Sequence, residues 1–238
     1  MQPMLGETLR IALGDGATVY NDGTNAQLND NSMAIGTKAR TVASNHAIAM
    51  GNNAAVTQNS HSAAAIGDSA KAEAEGALAL GKSAAASGAD SIAVGTEAVA
   101  SGADALAMGK SAQASGADAV ALGNGAVGWE QCFCGFGQDA SANAVRSVVL
   151  GLMQGRYGRG CIRAKGSHVV IGDGAGNNID GQQNIAIGYK TGNDVKSDHN
   201  VAIVLKLGPI SEQAETHRKG KMFPLDIMLI KTILLYRG

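Results

Sequence analysis

Lys82-Ser83-Ala84-Ala85-Ala86-Ser87-Gly88-Ala89-Asp90-Ser91-Ile92-Ala93-Val94-Gly95 is followed at once by Thr96-Glu97-Ala98-Val99-Ala100-Ser101-Gly102-Ala103-Asp104-Ala105-Leu106-Ala107-Met108-Gly109. The two segments are copies of one phrase, and a third runs from Lys110 to Gly123 with Ser115-Gly116-Ala117-Asp118 at its middle. Followed in both directions, the closing glycine marks a strict ladder of fourteen residues: Gly67, Gly81, Gly95, Gly109, Gly123, Gly137 and Gly151. A second glycine recurs at the half-period, as Gly88, Gly102 and Gly116. A fixed period sustained this long is the sequence signature of a stacked repeat.

Seven residues leave no room for a helix with its connections, but they hold a four- or five-residue strand and a tight turn. Two strands and two turns per period predict one rung of a two-sided parallel β-solenoid, a β-roll. The fold class is therefore all-β, with rungs stacked about 4.8 Å apart. Glycine at each corner supplies a positive φ or a close backbone approach. Alternation sets Ile92 and Val94 on one face and Ala93 on the other. The expectation is that the Ile, Leu, Val and Met side chains point inward, against alanines such as Ala84 and Ala86. Ala79, Ala93, Ala107 and Ala121 are then left outside as an apolar stripe, which marks an interface. No single rung buries enough to stand alone, so stacking is obligatory.

Composition agrees with a long, thin core. Of the 238 residues, 45% are hydrophobic but only 3% aromatic and 16% charged, and much of the hydrophobic share is alanine. A formal net charge of −1 gives no reason to expect nucleic acid or an anionic membrane as partner. The three cysteines, Cys132, Cys134 and Cys161, are an odd number and make no disulfide framework. No basic segment leading into an apolar run opens the sequence, so no secretory signal is expected. The longest apolar stretch, Phe223–Tyr236, is broken by Pro224, Asp226 and Lys231. It falls short of the roughly 20 residues of a membrane-spanning helix.

The ladder continues beyond its strict part with looser spacing. Ile11-Ala12-Leu13-Gly14, Met33-Ala34-Ile35-Gly36 and Ile48-Ala49-Met50-Gly51 precede it; Val169-Val170-Ile171-Gly172 and Ile185-Ala186-Ile187-Gly188 follow. The turn glycines are thus Gly14, Gly36, Gly51, Gly67, Gly81, Gly95, Gly109, Gly123, Gly137, Gly151, Gly172 and Gly188. Larger insertions fall at Asp15–Asn31 and Gln154–Lys165. The last phrase, Val201-Ala202-Ile203, ends in Val204 where glycine belongs. Residues 1–204 are accordingly read as the roll and 205–238 as a separate, non-repeating tail.

Asn31-Ser32-Met33-Ala34-Ile35-Gly36 resembles the head-repeat motif, Asn-Ser-Val-Ala-Ile-Gly-x-x-Ser, of the YadA-like trimeric autotransporter adhesins. Asp90-Ser91-Ile92-Ala93-Val94-Gly95 and Gln183-Asn184-Ile185-Ala186-Ile187-Gly188 are similar. The motif's closing serine is Ala39 in the copy that starts at Asn31. The resemblance covers about Ile11 to Ile203 and implies a left-handed parallel β-roll that associates into a homotrimer. It also implies a non-enzymatic adhesin head on the outer membrane of Gram-negative bacteria, binding collagen, other matrix proteins or host-cell receptors. The family's signal, stalk and membrane anchor are not read in this sequence. A bacteriophage tail or receptor-binding protein is the nearest alternative; an acyltransferase β-helix, whose period is six, fits a ladder of fourteen poorly.

By motif position, the resemblance carries ligand binding to Asn31, Ser32, Ser91, Asn184 and Asn200, on the polar faces of the rungs. Other groups read more simply as structure. Cys132, Cys134 and Cys161 with His168 match no zinc spacing, and Cys134 stands in the slot that Ile92 fills elsewhere. Gly172-Asp173-Gly174-Ala175-Gly176 lacks the strand, helix and Gly-Lys ending of a phosphate loop. Asp173 and Asp180 fall outside any calcium-roll period. Arg156, Arg159, Arg163 and Lys165 make a basic loop. No catalytic group, cofactor or metal is expected.

Overall fold

The computed structural model describes residues 9–20, 31–129, 133–138, 140–142, 148–150, 168–176, 179, 182–192 and 195–204. The chain divides into Met1–Val204 and Leu205–Gly238, and every described residue lies in the first unit. Gly151, Cys132, Cys161, Asp180 and the basic stretch 156–165 lie outside the described residues. The described residues form 22 short strands, all paired in parallel, in two sheets. One sheet has 13 strands, from Arg10–Leu13 to Val201–Ile203; the other has 9, from Thr18–Tyr20 to Ser141–Ala142. Strands of the two sheets alternate along the chain, which is the two-sided solenoid expected from the period. Register follows the period: Ile92 pairs with Leu78 and Leu106, and Ala93 with Ala79 and Ala107.

Each corner of a rung has its own steric reason. Gly95 sits at φ +130, and a Cβ there would meet the carbonyl oxygen of Gly109 at 2.5 Å. Gly88, at the half-period, has no such φ, but a Cβ would run into the carbonyl of Gly102 one rung on. The first glycine answers to backbone conformation, the second to stacking. Between them, Asp90, Asp104 and Asp118 take φ of 53, 55 and 57, the left-handed region that aspartate tolerates in turns. Where rungs are longer, serine replaces the half-period glycine. Ser44 Oγ donates to Thr57 O at 2.7 Å and accepts the N–H of Ser60 at 3.0 Å, so a buried hydroxyl fills the wider corner.

The faces are the reverse of the sequence expectation. Ala79, Ala93, Ala107 and Ala121 are fully buried, as are Ala84 and Ala86 on the opposite sheet. The core of the regular rungs is alanine against alanine, with Val56 the larger exception, because the two walls stand close together. Ile92, Leu80 and Met108 are pushed outside, with exposures of 36%, 41% and 46%. Each inner alanine contributes little, roughly 0.8 kcal/mol per buried methyl. Stability therefore accumulates along the stack through backbone ladders and many small contacts.

Two local departures follow from insertions. In the strand Phe133–Phe136, Phe133 pairs with Val120, Cys134 with Ala121 and Phe136 with Leu122, so the strand bulges by one residue. Cys134 thus stands in the register of the alanine column, not in the Ile92 slot, because the extra residue shifts the pairing. Beyond Ser141–Ala142 the described residues add strands to the larger sheet only. There the interior is filled by larger groups, Val149, Val170 and Ile179.

Candidate binding surface

Among the described side chains, the outer side of the larger sheet is apolar along its length. Each three-residue strand of this sheet from Ile48–Met50 to Ile185–Ile187 buries its middle residue and turns the flanking two outward, so Leu78 and Leu80, Ile92 and Val94, and Leu106 and Met108 build two parallel columns. Thirteen strands at about 4.8 Å make a face roughly 60 Å long. Sequence reasoning expected an outward apolar stripe but put the wrong residues on it. A signal was present: the middle residue is alanine at 65, 79, 93, 107 and 121, while its neighbours vary among Ala, Ile, Leu, Val and Met. A position confined between two walls admits one size of side chain; a position facing outward admits several.

The five polar positions proposed for ligand contact divide. Ser32, Ser91 and Asn184 are buried, at 1%, 0% and 2% exposure, so they present no side chain to a macromolecule. Each stands just before an outer-sheet strand, where the chain turns inward beside the alanine core. Ser32 Oγ there donates to Ser44 O at 2.6 Å and accepts the N–H of Ala47 at 3.2 Å. Asn31 is exposed and Asn200 is half-buried, and these two remain at the surface. Also exposed are the repeating turn residues Ser87, Ala89 and Asp90, with Ser101, Ala103 and Asp104 one rung on.

A polar ladder runs through the C-terminal rungs. His168 Nδ1 accepts the N–H of Asn184 at 3.2 Å, and Asn184 Oδ1 accepts the N–H of Asn200 at 2.8 Å. Asn200 Nδ2 adds bonds to Asn184 Oδ1 at 3.0 Å and to Ser197 O at 2.7 Å. Burial holds the His168 imidazole below its ordinary pKa of 6.5, so the neutral ring is the folded form. These groups brace rungs against each other; His168 and Asn184 are buried, and of the three only Asn200 reaches the surface.

The family model for the YadA head domain repeat matches residues 29–54, 59–84, 75–98, 86–111 and 100–126. These matches overlie the rungs from Ser32–Ile35 to Ala126, where the period and the alanine core are most regular. The comparison with curated proteins returned no match.

Proposed function

The chain carries a YadA-like head, and from that premise we propose that it is a non-catalytic adhesive head, three rolls joined through the Leu/Ile/Val/Met face. Exposed on the cell surface, the trimer binds collagen-like matrix or host-cell ligands through the turns left outside. The observation that carries this reading is the outward apolar face. A strip roughly 60 Å by 10 Å is near the upper end of what a soluble monomer leaves in water. Two columns of branched and long side chains offer a second roll far more to bury than an alanine stripe would. The family supplies the number three.

Ligand contact then falls to the repeating turns, with Asn31 and Asn200 as the members of the motif-based set that reach the surface. Identical turns at each rung favour many weak contacts over one strong one, and three copies multiply them. Light scattering on the full chain is expected to give the mass of three chains. The double variant Leu80→Lys, Met108→Lys is expected to give one chain, and to bind immobilised collagen about a hundredfold more weakly through lost avidity. A monomeric wild type, or equal binding by both proteins, overturns the proposal.

A further inference from the structure

Two histidines each accept a backbone N–H from a neighbouring rung. His168 receives the N–H of Asn184 on Nδ1 at 3.2 Å, and His61 receives the N–H of Asn45 on Nδ1 at 3.1 Å. Both bonds join neighbouring rungs. In a rung of fourteen residues, the N–H that precedes the outer strand closes on its own turn, as Ser91 N–H does on Gly88 O at 3.2 Å. In the rungs that lead into Ile48, Ile185 and Val201, a side chain from the neighbouring rung takes over. Ser32 serves Ala47, His168 serves Asn184 and Asn184 serves Asn200.

Among these acceptors only imidazole changes state near neutral pH. A histidine that accepts an N–H on Nδ1 must be neutral there, since a proton at that atom sets two donors face to face. We propose that His168 and His61 are acid-labile staples: their protonation frees the flanking rungs, while the central rungs stay closed. The central part carries no histidine at all, since residues 62–167 contain none. Acidification therefore loosens the head at both ends of its regular section and leaves the alanine-cored middle intact. The inference is independent of the ligand and of the number of chains.

The surroundings set the direction. Around His61, the titratable neighbours are His46, next to Asn45 on the rung before, and Glu75 on the rung after, where Gly76 N–H donates to His61 O at 2.9 Å. Beside His168, among the described residues, stand Asn184 and then Asn200. The charged groups of that stretch, Asp173, Lys190, Lys196, Asp198 and His199, lie on the turns and connections. Burial keeps the folded pKa of His168 below the unfolded one. The unfolded chain thus takes up the proton first; the staple's contribution is whole above about pH 6.5 and is lost as pH falls through the folded-state value.

Hydrogen exchange on the full chain at pH 7.5 and 5.0, each rate divided by the unstructured-peptide rate at that pH, tests the idea. Peptides covering Asn45–Ala47 and Asn184–Ile187 are expected to lose protection about tenfold at the lower pH. Peptides within 78–122 are expected to keep theirs. His168→Asn and His61→Asn supply an amide oxygen that accepts at every pH, as Asn184 already does for Asn200, and are expected to hold protection at both. Unchanged protection of Asn184 in the wild type at pH 5.0, equal loss in the central peptides, or loss that persists in the variants each overturns the proposal. The wild-type comparison stands by itself if a variant fails to fold.

Discussion

Ser91 occupies a position that is alanine at 77, 105 and 119, and its Oγ is buried without a hydrogen-bond partner. The hydroxyl was taken from water and given nothing in exchange, which costs about 1–3 kcal/mol. Ser91→Ala is therefore expected to stabilise the protein by about 1 kcal/mol. For a chain of this size that raises the melting temperature by about 2–4 °C. A lowered midpoint in thermal unfolding would mean that the hydroxyl serves something else. The same residue shows how motif position and physical position part company. Serine in a turn reads as solvated, yet here the turn folds inward, and only burial in the assembled stack reveals it.

Within one strand, Ile92 and Ala93 are neighbours in sequence and opposites in environment. Ala93→Leu pushes a branched side chain between two walls separated by methyl groups, and overpacking of that kind costs about 1–3 kcal/mol. Ile92→Leu changes shape on an outer face and is expected to stay within about 0.5 kcal/mol in chemical unfolding. The opposite ranking would reinstate the arrangement expected from the sequence, with the large residues inside. Pairing direction and register were legible because the period states them directly; strand length was not, since the strands run two to four residues instead of the four or five expected. Sidedness was not, because alternation divides a strand into two faces without saying which one meets the opposite sheet. Wall separation decides that, and it is a property of the assembled rungs, not of any one strand.

At the scale of the whole molecule, the rung is the unit that can be added or removed. Deleting residues 82–95 takes out one complete turn and rejoins equivalent corners, so a folded, shorter roll is expected. Deleting 82–88 removes a strand from one sheet alone and shifts every later residue to the wrong face. Circular dichroism and the unfolding midpoint of the two deletions check this; equal tolerance would defeat the two-strand rung. The sequence by itself determined the all-β class, the fourteen-residue rung, the corner glycines and the thin core, because each repeats often enough to leave a period. Tertiary structure alone decided what faces out. In the regular rungs the narrow gap between the sheets holds alanine, with Val56 the exception, and turns Leu, Ile and Met outward. That choice buried Ser32, Ser91 and Asn184, and it placed the apolar face where another copy of the roll can cover it.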